Sequence, residues 1–200
     1  MTPLRRFSAG LVSCLMLSGS RHAFATEVEI SAKALERTLR AQLFPGPEAR
    51  YYIKGNTSSA CFVYAADPRI SFREDRIFVH VRTRAKLGTS LHGSCLGVGL
   101  SDEAEVSLVP DAEGETIGFR DARIERISEN RELNFLMVPF LKNKLPAQLK
   151  INAAELMRKV LSGSAEKTGY VLTLSSLKLH SLLIKGESLV LDMDSDLTVD

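Results

Sequence analysis

The chain has no tryptophan, and aromatic residues make up only 6% of it. Sugar and single-stranded nucleic-acid sites rely on stacked rings, so both classes lose weight. Charge of either sign is not in excess: 26 Lys and Arg stand against 24 Asp and Glu, a net of +2, which leaves no bulk footprint for nucleic acid. No apolar run reaches the ~20 residues that a helix needs to cross a bilayer. No strand–helix–strand rhythm appears, which removes the doubly wound nucleotide-binding folds. A hydrophobic content of 44% with 25% charged residues nevertheless describes a globular chain with a substantial core.

Histidine is also scarce, and that limits catalysis. Beyond the N-terminal segment only His80, His92 and His180 occur. The nearest approach to a nucleophile elbow, Gly88-Thr89-Ser90-Leu91-His92, lacks the second glycine of that motif. No catalytic set is expected, no cofactor motif is present, and the reading is of a protein that is not an enzyme.

The N-terminus reads as an export signal. Arg5 and Arg6 precede the apolar run FSAGLVSCLMLSG, and Ala23-Phe24-Ala25 offers a small-x-small cleavage site, so residues 1–25 are expected to be removed and 26–200 to form one domain. Leu11-Val12-Ser13-Cys14 offers the rival of a lipid anchor at Cys14, but few apolar residues precede it and the apolar run continues past it. Cleavage takes Arg5, Arg6 and Arg21 and leaves 23 basic against 24 acidic residues, a formal charge of −1. The expected compartment is periplasmic or extracellular.

Two cysteines then remain, Cys61 and Cys95. An even count in an oxidising compartment suggests a disulfide. Free thiols are the alternative. A metal is disfavoured: there is no CxxC, and His92 near Cys95 supplies only a second ligand.

Along the chain, ISAKALERTLRAQLF (30–44) reads as a helix. Ser31 caps it, Ile30 and Leu35 form a hydrophobic staple, and Leu35, Leu39 and Leu43 make its buried stripe. Pro45-Gly46-Pro47 stops it. Strands follow at 51–54, 61–66 and 69–72. The clearest is 76–87, with Ile77, Val79, Val81, Ala85 and Leu87 on one face and Arg76, Phe78, His80, Arg82, Arg84 and Lys86 on the other. Another strand covers 96–109, a polar turn Pro110–Glu115, and a further strand 117–127. Two long strands surround Lys185-Gly186, the second with Leu189, Leu191, Met193, Leu197 and Val199 inward and its aspartates outward. Strands and helices in separate blocks, with short turns, predict an α+β fold with an antiparallel sheet.

Between these blocks lies LNFLMVPFLKNKLPAQLKINAAELMRKVL (133–161). Pro139 and Pro146 break a helical piece near 135–149, and Asn152 with Glu155 caps a second. Leu145, Leu149, Ala153, Leu156 and Val160 are expected to form one apolar stripe. Phe135, Leu136, Met137, Val138, Phe140 and Leu141 exceed such a stripe, and this surplus needs cover.

The order of these elements resembles the tubular lipid-binding (TULIP) superfamily. The residues that carry the likeness are VEISAKALERTL (28–39), PFLKNKLPAQLKINAAELMRKVL (139–161) and LKLHSLLIKGESLVLDMDSDLTV (177–199). The resemblance implies a single module: a highly curved antiparallel sheet wrapped around amphipathic helices, with acyl chains held between them. The expected function is binding of a lipid or other hydrophobic small molecule, with Leu39, Leu43, Phe135, Met137, Phe140, Leu141 and Leu149 lining the groove. The alternative is an envelope interaction module of the same fold with a closed core and no ligand. The pattern sets no oligomeric state.

Two polar patterns complete the reading. Arg76, Arg82, Arg84 and Lys86 form a ladder that could meet anionic head groups at a membrane surface, or be paired with acids such as Glu103 and Glu105 on a neighbouring strand. LDMDSDLTVD starts like a calcium loop but has Leu197 where the invariant glycine belongs, and strand alternation already accounts for its aspartates. No metal is expected.

Overall fold

The computed structural model describes residues 24–45 and 48–200. Most of the predicted leader, Cys14 included, lies outside them. The architecture is α+β, with a strongly curled six-stranded antiparallel sheet and a second, three-stranded antiparallel sheet.

The described residues begin with a strand that the sequence did not announce. β1 (Phe24–Ser31) pairs antiparallel with the last strand, from Phe24 opposite Ser195 to Ser31 opposite Ser188. It spans the expected cleavage point: removal of residues 1–25 leaves Thr26–Ser31 paired. Its final residue, Ser31, caps α1 (Ala32–Leu43) by accepting a hydrogen bond from the Ala34 N–H at 3.3 Å. Leu35, Leu39 and Leu43 are buried as the spacing predicts, and Ile30 is buried with them.

The six-stranded sheet then builds in chain order: β2 (Arg50–Lys54), β3 (Phe62–Arg73), β4 (Arg76–Leu91), β5 (Ser94–Glu113), β6 (Thr116–Arg126) and the two-residue β7 (Ile151–Asn152). Two expected runs, 61–66 and 69–72, are one strand. Asp67-Pro68 does not end it but forms a bulge, with Asp67 at φ 51° and the register against β4 slipping between Ala66 and Arg69. The expected turn over Pro110–Glu115 shrinks to Gly114-Glu115. Pairing of β5 with β4 stops at Leu108, so Pro110 occupies a stretch with one free side, where its missing N–H costs little.

β4 and β5 form a long arm, closed by His92-Gly93 with φ of 46° and 77°, the left-handed pair of a tight hairpin turn. Gly88 and Gly97 face each other across it. A Cβ on Gly88 would lie 2.0 Å from the Leu96 carbonyl oxygen, and one on Gly97 1.9 Å from that of Leu87, so only glycine fits either position. Beyond this pair the ribbon reaches Cys95, which is disulfide-bonded to Cys61 with a Cα–Cα distance of 5.0 Å.

The central helical segment starts earlier than expected. Asn130 caps α2 (Arg131–Pro139) by accepting from the Leu133 N–H at 2.9 Å. After Pro139 the chain widens into a π-helical turn over Phe140–Lys144 before α3 (Leu145–Gln148). This widening has a packing consequence. Leu133, Met137, Leu141, Leu145 and Leu149 recur every four residues and are all buried. In a helix of about 3.6 residues per turn, each such step would rotate the stripe by about 40°. The wider turn after the proline offsets part of that rotation and keeps Leu145 and Leu149 on the core.

Asn152 caps α4 (Ala153–Leu161), accepting from the Glu155 N–H at 2.8 Å. The expected stripe breaks here. Ala153 and Ala154 are buried and Met157 and Leu161 pack behind them, while Leu156 and Val160 face out at 45% and 70% exposure. Pairing of β7 with β6 at Ile151 and Asn152 fixes the roll of α4 and puts its small residues against the sheet. A short α5 (Ser164–Thr168) follows, ended by Gly169 in the left-handed conformation.

β8 (Leu172–Lys185) and β9 (Ser188–Val199) complete the three-stranded sheet in the order β1-β9-β8. Leu189, Leu191 and Met193 point inward as expected. Leu197 and Val199 do not: they are 48% and 60% exposed, because the end of β9 runs past Ser195, its last partner opposite the described part of β1. One apolar core unites both sheets and the helices, joining Leu35 and Leu39 to Ile77 and Val79, Val106 and Leu108, Met137 and Leu145, and Leu189 and Leu191.

Candidate functional site

The surplus apolar residues of the 133–141 stretch divide by burial. Leu133, Met137, Phe140 and Leu141 are buried in the core, Leu136 is half-buried and packs against the core's edge, Val138 is half-buried, and Phe135 is exposed. Opposite this less buried side stands β2, an edge strand that among the described residues pairs only with β3. Its Tyr51, Tyr52 and Ile53 are three large side chains in succession, so both faces of the strand carry apolar bulk. Between the two elements lies a groove of about 700 Å³. Tyr51–Ile53 form one wall, and Phe135, Leu136, Val138, Pro139 and Phe140 the other.

Three polar groups border it. Arg131 opens α2, Lys144 ends the π-helical turn, and Asn134 lies between the walls. The Asn134 amide donates from Nδ2 to the Ser128 carbonyl at 2.6 Å, which fixes the orientation of the group. Its Oδ1 is buried and has no partner among the described residues, an acceptor left in the groove wall. Tyr51 is held in place by Phe140, its ring stacked at 4.8 Å, and by the edge of Phe44 at 6.4 Å. Tyr52 tilts against Tyr64 of β3 at 5.5 Å, and the Arg50 guanidinium sits 4.7 Å over the Tyr64 ring. The groove is therefore apolar along its length and cationic at its borders.

Of the seven residues expected to line a groove, Phe135 and Phe140 border this one. Leu39, Leu43, Met137, Leu141 and Leu149 lie in the closed core, at 3% exposure or less. The space between helix and sheet is filled by the protein's own leucines, and the open apolar surface lies on the far side of the helix. Tyr51, Tyr52, Ile53, Arg131, Asn134 and Lys144 were missed. The run Tyr51-Tyr52-Ile53, too apolar for an alternating edge strand, was the signal available.

The arginine ladder resolves into paired and exposed members. Arg76 is turned to internal partners rather than displayed on the surface. It is buried, donating from Nε to Ser107 Oγ at 2.7 Å and from Nη1 to Asp121 at 3.0 Å, with a further bond to the Asp121 carbonyl. Arg76 and then Arg123 hold the Asp121 carboxyl below its ordinary pKa by donating hydrogen bonds to it. Arg82 pairs with Asp67 at 3.1 Å across the β3 bulge. Glu103 and Glu105, the anticipated acids, pair with His80 and Arg126 and with Arg73. Arg84 and Lys86 are exposed, and neither makes an ion pair among the described residues.

Ser90 and His92 sit at the exposed arm tip. Asp194 pairs with His180 at 2.7 Å and Asp196 accepts from Ser176 Oγ at 2.7 Å, as cross-strand partners. Among the described residues no group of three His, Cys, Asp or Glu side chains could hold a metal. No described helix is long and apolar enough to cross a membrane.

No protein-family model matches the chain, and no curated protein matches it in sequence. Among solved structures, one titled "Crystal structure of lipopolysaccharide binding protein" aligns with a TM-score of 0.34 and 12% identity, over 86% of this chain and 50% of that one. The chain thus spans about half the length of that structure.

Proposed function

We propose that this is an exported, non-enzymatic protein that binds a lipid or other hydrophobic ligand in the groove between β2 and α2. The observation that carries the reading is the apolar groove wall of Phe135 with the half-buried Leu136 and Val138, where Phe135 is 80% exposed beside a closed, well-filled core. Its volume falls in the ~300–1,000 Å³ range of small-molecule sites. An amphiphile suits the chemistry: an apolar chain lies along Tyr52, Phe135 and Pro139, while Arg131 and Lys144 meet an anionic end. The free Asn134 Oδ1 accepts from a hydroxyl or amide of the ligand. The TULIP resemblance supports the same class of ligand, with the binding surface moved to the outer face of the helix. The Cys61–Cys95 disulfide is consistent with an oxidising compartment, and with export by a leader cleaved near Ala25.

Native mass spectrometry of protein purified from cells tests this. Lipid-sized adducts are expected, and they should disappear from a Phe135→Asp, Leu136→Asp variant that keeps its disulfide. A clean mass from the parent protein overturns the proposal and favours the second reading, an envelope interaction module. That reading draws on the closed core containing Leu39, Leu43, Met137, Leu141 and Leu149.

A further inference from the structure

The β4–β5 arm carries three aliphatic side chains that the core does not use. Leu91, Leu96 and Val98 are 50%, 58% and 52% exposed, all at or near the tip. The charge around them is one-sided. The chain contains 24 acidic residues, yet none occurs in 50–66 or in 76–101. Those two stretches are β2 to mid-β3 and the whole of β4 with the tip of β5, and the disulfide joins them. Within them Lys54, Arg84 and Lys86 are exposed cations, while Arg50 is paired with Glu48. Acids return towards the arm's base: Asp102 stands opposite Thr83, Glu48 and Asp67 share a hollow with Arg84, and Glu132 borders a hollow of about 480 Å³ together with Lys54, Leu87, Gly88, Arg131, Phe135 and Leu136.

We propose that the tip of this arm inserts into the surface of an anionic lipid bilayer, with Arg84, Lys86 and Lys54 meeting head groups. Aliphatic residues in front of cations, with no acid among them, are what a shallow interfacial anchor requires. The backbone limits the depth: β3 leaves β4 at Lys86 and β6 leaves β5 at Glu105, so the outer edges of the ribbon are unpaired, and the tip stays at the level of the head groups, where its outward peptide groups remain hydrated. The arm is also fixed before it docks. The disulfide ties Cys95 at the tip to Cys61, and the close glycine pair sets the course of the ribbon, so insertion orders little. Docked in this way, the arm brings the hollow at Phe135 and Leu136, and the groove that shares those two residues with it, to the membrane surface. The docking stands whether or not the groove holds a ligand, because adduct formation is read separately.

Flotation with vesicles tests it. The purified, disulfide-bonded chain should float with vesicles of phosphatidylglycerol and phosphatidylcholine, less with phosphatidylcholine alone, and less at high salt. Leu96→Asp with Val98→Asp should weaken this binding by at least about tenfold. Arg84→Glu with Lys86→Glu should abolish the preference for phosphatidylglycerol. Parent and variants share one N-terminus, so the difference between them reports the arm, and thiol titration verifies that each variant has kept its disulfide. A parent that stays unbound overturns the proposal. So does a Leu96→Asp, Val98→Asp variant that floats like the parent.

Discussion

Tyr51 of β2 stacks on Phe140, the first residue of the π-helical turn, with ring centroids 4.8 Å apart and planes inclined by 26°. This one contact joins the free edge of the six-stranded sheet to the proline-broken helix. It forms the floor on which the groove rests, and it separates residues that hold the fold from residues available to a ligand.

Phe140→Ala and Phe135→Ala should therefore behave oppositely. Phe140 is 3% exposed, and its loss should cost about 3–5 kcal/mol. Phe135 is 80% exposed, and its loss should change stability by no more than about 0.5 kcal/mol while reducing ligand adducts. Urea unfolding with the disulfide intact, run beside native mass spectrometry, measures both.

The disulfide closes a loop with a sequence separation of 34. In the chain-entropy account, Cys61→Ser with Cys95→Ser should lower stability by about 3–4 kcal/mol. Comparing the thermal midpoints of parent and variant at equal pH checks this.

Gly97→Ala should disturb the arm more than an ordinary surface change, which typically stays within about 0.5 kcal/mol. The added Cβ would lie 1.9 Å from the Leu87 carbonyl oxygen, a backbone atom that cannot swing aside. A slower approach to full disulfide, followed by thiol titration during oxidative refolding, is the expected sign. Gly93→Asn is the control: nothing lies within 4 Å of a Cβ there, and asparagine tolerates the left-handed conformation.

Asp121 gives the protein a pH dependence of defined sign. Its carboxyl is held below the ordinary value by Arg76 and Arg123. A group with a lowered folded-state pKa contributes stability above its unfolded pKa, about 3.9, and loses it as pH falls through the lower folded value. Denaturant midpoints recorded from neutral pH into that acid range should fall for the parent. In Asp121→Asn the component owed to this group should be missing, so the curve should be flatter.

Much of the fold was legible because local rules suffice for it. Ser31, Asn152 and the leucines of α1 declare capped amphipathic helices through spacing alone. Ile77, Val79 and Val81 declare a half-buried strand in the same way, and the cysteine count favoured over free thiols a Cys61–Cys95 disulfide, which the structure contains. The missed elements lack such marks. β7 has two residues and exists because Ile117 and Thr116 present an edge to it. β1 lacks a clear alternation, overlaps the end of the expected leader and is defined by its partner β9. The bulge at Asp67-Pro68 reads locally as a turn, and only pairing on both sides turns it into a continuous strand.

For the site, the sequence by itself determined that the 133–141 stretch carries more apolar surface than one helical face can bury, and that prolines divide it. It could not decide which side of the helix stays open. That depended on the π-helical turn after Pro139, which turns Leu141, Leu145 and Leu149 into the core, and on β2 standing opposite the other face. Likewise the run of cations on β4 was written in the sequence, but which of them are neutralised was not. Arg76 and Arg82 are satisfied by Asp121 and Asp67, residues 45 and 15 positions away in the chain, and only the paired strands bring those charges within reach.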